Sequence, residues 1–150
     1  MKRPTRVTMR LKKIERVKEA PRILYRLLAT RPARVNISHR RMPTFAAHLA
    51  FLRRKPYKAW YLVWVSPRGY IGAVYLSKND EIGIFLFKEY QGKGFGQEAV
   101  RLLMAKHRGV KRFLANINPK NIRSILFFKE LGFRPIQNTY EATREKKGKS

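Results

Sequence analysis

Hydrophobic positions along this chain fall into two periods. Val7, Met9 and Leu11 alternate with polar residues, which predicts a strand. "VKEAPRILYRLLAT" instead places Ile23, Leu24, Leu27 and Leu28 on one helical face, with Pro21 tolerated in the first turn. "RPARVNISHRRMP" reads as a basic loop, and Thr44 then opens a short helix, "FAAHLAFLRR". "AWYLVWV" and "YIGAVYL" are strand-like runs joined by the turn "SPRG". "SKND" turns the chain into a third run, "EIGIFLF", giving an antiparallel meander. Val100, Leu103, Met104 and His107 mark a further helix. "RFLANI" predicts a strand, and "NPKNIRSILFFKELGF" a helix opening near Asn121 and closing at Gly132. "RPIQNTYEATR" predicts one or two last strands, and "EKKGKS" (145–150) a loose polar tail. The 150 residues show neither repeat nor linker, so one domain is expected. The order β-α-α-β-β-β-α-β-α-β describes an α/β domain around a mixed sheet.

Composition narrows the chemistry. There is no cysteine, which excludes disulfides, thiolate metal sites and cysteine catalysis. His39, His48 and His107 are scattered, so no metal is expected. No apolar run approaches the roughly 18 residues that span a bilayer. The start, "MKRPTRVTMRLKK", is basic like an organelle transit peptide, but it lacks a secretory signal's apolar stretch and alternates like a strand. A cytoplasmic protein is the expectation. Lys and Arg number 35 against 9 Asp and Glu, a net charge of +26. Such a field attracts polyanions: nucleic acid, a ribosomal surface, an anionic membrane or phosphorylated substrates. The plain alternative is a solvated basic surface.

"EYQGKGFGQEAVRLLMAK", residues 89–106, puts bare backbone at the mouth of a helix. The first N–H groups of a helix have no intrahelical partner and carry the positive end of its dipole. Glycines let a phosphate reach that backbone without a Cβ in the way, and Lys93 offers a full charge. The P-loop pattern G-x-x-x-x-G-K-[ST] is absent, and "GKGFGQ" does not have the dinucleotide-binding spacing. On these residues alone, a tight structural turn remains the competing explanation.

"EIGIFLFKEYQGKGFGQEAVRLLM" resembles the central motif of the GNAT acetyltransferase superfamily, [QR]-x-x-G-x-[GA], through Gln91, Gly94 and Gly96. "NPKNIRSILFFKELGF" resembles that superfamily's second motif through Asn121, Ser124, Ile125, Phe128, Gly132 and Phe133. The resemblance covers roughly residues 60 to 136; the N-terminal third fits in element order only. It implies a mostly antiparallel central sheet flanked by about four helices, with a splayed strand pair holding acetyl-coenzyme A. The turn at Gln91, Gly92, Lys93, Gly94, Phe95, Gly96 and Gln97 would wrap the pyrophosphate through its backbone. The strand at Ile84, Phe85 and Leu86 would pair with the pantetheine arm. Asn121, with Ser124 beside it, would meet that arm from the second motif, although Asn is equally suited to cap a helix.

The resemblance also frames the catalytic expectations. A backbone N–H near Leu86 would stabilise the oxyanion. Many members carry a tyrosine acid where this chain has Phe128, which cannot donate; the neighbouring Phe127 offers nothing either. Another group or water would then serve, or the thiolate would leave unprotonated. Glu81, at the start of the cofactor strand, is the candidate base, set against a plain strand-end carboxylate. The second common base position holds Asn116, and Tyr90 reads as packing. His48 reads as a helix-face residue more than as a base. The acceptor side would draw on His39, Arg40, Arg41, His48, Arg53, Arg54, Tyr57 and Trp60, where cations interleave with aromatics. These could also be core aromatics with flanking cations. The leading expectation is an N-acetyltransferase whose acceptor amine lies on, or bound to, nucleic acid, as a modified base or a ribosomal protein amine. The alternatives are an amino group on a nucleotide-linked sugar and a non-catalytic nucleic-acid-binding module on the same fold.

Overall fold

The computed structural model describes residues 8–30 and 42–144. Four strands, β1 (Thr8–Lys13), β2 (Ala59–Ser66), β3 (Gly69–Leu76) and β4 (Ile82–Leu86), form one antiparallel sheet in the order β1-β2-β3-β4. The meander pairs Tyr61 with Val74 and Val74 with Ile84, the register expected of runs joined by short turns.

Helices cover both faces because the strands are apolar on both. Leu62, Ala73 and Phe87 pack against α1 (Ala20–Ala29), which buries Ala20, Ile23, Leu24 and Leu27. On the other face Leu11, Tyr61, Val63 and Val65 pack with Ala99, Val100 and Leu103 of α3 (Phe95–Lys106). Leu62, Ile71, Leu76 and Leu103 are fully buried, each contributing about 1.5–3 kcal/mol of hydrophobic stabilisation. The short helix α2 (Phe45–Arg53) opens at Thr44, whose hydroxyl accepts from the Ala47 N–H at 3.1 Å. Asn121 caps α4 (Ile122–Glu130) in the same way, accepting from the Ser124 N–H at 3.2 Å.

Two expectations are corrected. "RFLANI" does not form a strand ladder: it makes one parallel bridge, between Glu81 and Leu114. There the Ile82 N–H donates to the Leu114 carbonyl at 2.7 Å, and the Leu114 N–H to that of Asp80 at 2.9 Å. Beyond this bridge the two segments part, so β4 keeps an open edge. "RPIQNTYEATR" forms no strand; residues 134–144 are irregular and exposed. Pro135 lacks a donor, and past Leu114 no ladder continues for the last segment to join. The expected tail 145–150, and Val7, lie outside the described residues. Among the described residues no helix is long and apolar enough to cross a membrane.

Candidate functional site

The open edge of β4 sets the geometry. The Phe87 N–H bonds the Ile71 carbonyl on the β3 side, and the Ser77 N–H bonds the Glu81 carbonyl. Antiparallel alternation therefore turns the backbone of Gly83 and Phe85 toward β3, and that of Ile82, Ile84 and Leu86 away from it. Ile82 spends its N–H on Leu114. The Leu86 carbonyl accepts from the Gln91 side-chain amide at 3.0 Å. The Ile84 N–H and carbonyl and the Leu86 N–H are thus aimed into the splay. Phe85 was expected to offer backbone; the register leaves only its side chain for that role.

The glycine turn follows directly. Gly92 and Gly94 hold φ of 73° and 86°, the left-handed region that side chains with a Cβ disfavour. Gly94 is the N-cap of α3 and, having no side chain, caps nothing. The amides of Phe95, Gly96 and Gln97 are left without a side-chain cap, which makes an anion seat. A Cβ on Gly96 would lie 2.9 Å from the Phe127 ring, so this glycine lets α4 close onto α3. The Gln97 amide donates to Glu130 Oε2 at 2.6 Å and ties the same two helices. Lys93 does not line the cleft; Arg123 does, its guanidinium 3.8 Å from where a Gly92 Cβ would be. The Phe95 ring also faces away, packing on Tyr90 and Arg68.

These parts border one cavity of about 1050 Å³. The turn contributes Gln91, Gly92, Gly94, Gly96 and Gln97, β4 contributes Ile84, Phe85 and Leu86, and α4 contributes Ser124 and Phe128, with Asn121 at its cap. The backbone cradle, its open dipole end and Arg123 match a diphosphate followed by a polar, amide-bearing arm. The residues present therefore fit acetyl-coenzyme A.

Glu81 lies in the same cavity wall, where the splay begins. Its carboxylate accepts from the Ser77 hydroxyl at 3.0 Å and from the Asn116 side-chain amide. Phe128, expected to stand where a tyrosine acid would, is buried against Phe127 and Phe133 and is core here. His48 is buried, and its Nε2–H donates to the Pro21 carbonyl at 3.2 Å, locking α2 to α1. Burial holds its pKa below the ordinary value, partly offset by that bond.

The far end of the cavity is aromatic. Tyr57 stacks on Tyr75 at 3.8 Å and meets Trp60 edge-on at 4.8 Å. The Arg54 guanidinium lies 5.7 Å from the Phe51 ring beside them. Arg53 is exposed and does not line the cavity. His39, Arg40 and Arg41 lie outside the described residues. Among the described residues no cluster of His, Asp and Glu could hold a metal ion. Ser77, Tyr75 and Arg123 were not anticipated. Ser77 precedes Glu81 by four residues across a turn, a spacing that can bring a hydroxyl to a carboxylate. Tyr75 and Arg123 reach the site through packing between elements, which leaves no local signature.

A family model described as an acetyltransferase (GNAT) domain matches residues 9–134. No curated protein sequence matches the chain. Among solved structures, a domain from Methanocaldococcus jannaschii superposes with a TM-score of 0.75 at 19% identity, over 91% of this chain and 93% of that one. The spermidine N-acetyltransferase of Vibrio cholerae, in complex with CoA and spermine, gives 0.67 at 17% identity, over 86% and 81%. YncA of Salmonella typhimurium, solved with its cofactor acetyl-CoA, gives 0.61 at 17%, over 86% and 80%. The matched family covers most of the chain, including both motifs and the splayed strand. The chain belongs to the GNAT acetyltransferases.

Proposed function

We propose that the chain N-acetylates an amine carried on, or associated with, nucleic acid, a modified base or a ribosomal protein amine being the chemical types that qualify. One observation carries the catalytic half: a single cavity joins the uncapped turn at Gly92–Gln97, the free edge of β4 and the Glu81 carboxylate. In this reading the Phe95, Gly96 and Gln97 amides and Arg123 hold the diphosphate, while Ile84 orients the arm. Bound there, the thioester supplies an activated acetyl group. The Leu86 N–H donates to the carbonyl oxygen as negative charge grows on it. Glu81, held by Ser77 and Asn116, takes the proton of the amine directly or through one water. The amine nitrogen would bond the acetyl carbon as the carbon–sulfur bond breaks, and the thiolate, with its modest pKa, would need no proton from the chain to leave.

Charge selects the acceptor. A field of +26 draws a polyanion to the cleft mouth and repels a polycation. Acceptors such as the spermidine that names the Vibrio cholerae enzyme are disfavoured on that ground. Tyr57, Trp60 and Tyr75 offer rings on which a base can stack. The test is thiol release from acetyl-coenzyme A against RNA, DNA, assembled ribosomes, amino-sugar nucleotides and polyamines. Turnover with nucleic acid or ribosomal protein is expected; turnover confined to polyamines or amino-sugar nucleotides overturns the acceptor assignment. Absence of acetyl-coenzyme A binding in calorimetry would overturn the site.

A further inference from the structure

A second cavity, of about 600 Å³, lies beside β1, the edge of the sheet opposite β4 and the cofactor cleft. Its walls come from the end of β1, the turn Ile14–Arg16 and the C-terminal end of α3. Lys13, Arg16 and Lys106 present cations to it, and among the described residues no Asp or Glu lines it. Lys12 contributes less, since its ammonium is turned onto the Trp64 ring at 4.6 Å. At the back, the Tyr61 hydroxyl and His107 Nε2 share a hydrogen bond of 2.9 Å, giving a polar floor.

The ion pairs among the described residues, Lys58–Asp80 and Arg101–Glu98, involve none of these cations. Two carboxylates lie near without ion-pairing any of the three. Asp80 is held by Lys58, and Glu15, whose charge is felt at Tyr61, does not line the cavity. Lys13, Arg16 and Lys106 make no ion pair among the described residues, although the Lys106 ammonium also lies 5.9 Å from the Tyr61 ring; three such cations around one concavity repel each other and lower the potential energy of an anion placed between them. Their spread over three elements suits several linked charges better than one. We propose that this cavity is a second anion site that takes an oligophosphate chain. The chain can come from a free oligophosphate or from a nucleic-acid backbone, and the chemistry recognised is the same. The site stands independently of the acceptor assigned above.

The test uses the whole chain saturated with coenzyme A, so that the cofactor cleft cannot take up the probe. Calorimetry with inorganic tripolyphosphate and with a short single-stranded oligonucleotide then reads the remaining sites. Binding of at least one probe is expected, weakened at least about tenfold by Lys13→Glu with Lys106→Glu. The pair Arg22→Glu with Arg134→Glu makes the same change of net charge elsewhere and is expected to weaken it no more than about twofold. Should the first pair fail to fold, Lys13→Gln with Lys106→Gln replaces it, with the same direction of effect. Tripolyphosphate alone binding in this way assigns a free oligophosphate, and variant-sensitive oligonucleotide binding assigns the backbone. Equal losses from the two pairs, or no binding of either probe with coenzyme A present, overturn the proposal.

Discussion

At Glu81 two neighbours hold one carboxylate, the Ser77 hydroxyl on one oxygen and the Asn116 amide on the other. A strand-end carboxylate that served only solvation would not require such an arrangement. If Glu81 takes the amine's proton, Glu81→Gln should lower kcat by about 10²- to 10⁴-fold. The affinity for acetyl-coenzyme A should stay within a factor of about two, because Glu81 lies beyond the phosphate seat. Equal kcat values for the two proteins would assign proton removal to solvent. His48 makes a different prediction. Burial disfavours its charged form, so the unfolded chain binds a proton there more readily than the folded chain does. The stability it contributes is complete above its ordinary value of 6.5 and is lost as the pH falls through the lower folded-state value. The melting temperature should therefore hold from about pH 8 to 7 and fall toward about pH 5. His48→Gln, which can still donate to the Pro21 carbonyl, should flatten that fall, and an unaltered pH profile would count against the argument.

Two glycines of one turn separate backbone conformation from packing at the level of elements. Gly94 holds φ of 86° with nothing within 4 Å of a Cβ, so Gly94→Ala should cost about 1–2 kcal/mol from backbone strain alone. A Cβ on Gly96 meets the Phe127 ring at 2.9 Å, so Gly96→Val should push α4 off α3 and cost about 1–3 kcal/mol. Gly94→Glu should in addition abolish cofactor binding by placing a carboxylate where the diphosphate sits, and chemical denaturation with cofactor calorimetry would separate these effects. These positions also show what the sequence could disclose. The turn, the α3 period and the Asn121 cap are local: each follows from residues within a few positions. The meander was legible because its turns are short. The parting of β4 from the Leu114 segment was not read from residue pattern, since it depends on where pairing stops, and the short apolar run in "RFLANI" looks the same whether or not it pairs. That Arg123 rather than Lys93 lines the cleft depends on how α4 leans across the turn, which no motif specifies.

The whole molecule carries its charge unevenly matched to its chemistry. A bound cofactor needs only a few cations, yet the chain has 35 Lys and Arg against 9 acids. Among the described residues lining the cleft, Arg54 and Arg123 are balanced by Glu81 and Glu130. Self-repulsion of that size destabilises the compact state and is screened by salt, with a Debye length of about 10 Å at 0.1 M. Raising salt from about 0.05 to 0.5 M should therefore raise the melting temperature in the absence of any ligand. Over the same range the affinity for nucleic acid should fall, because each phosphate contact releases a counterion and steepens the dependence on salt. The two responses have opposite signs but a common origin, and both should shrink when surface lysines outside the cleft are acetylated chemically. A protein stabilised by salt whose nucleic-acid affinity ignored it would show that the positive field acts only on itself. The acceptor would then have to be sought among molecules that the cleft recognises without the help of charge.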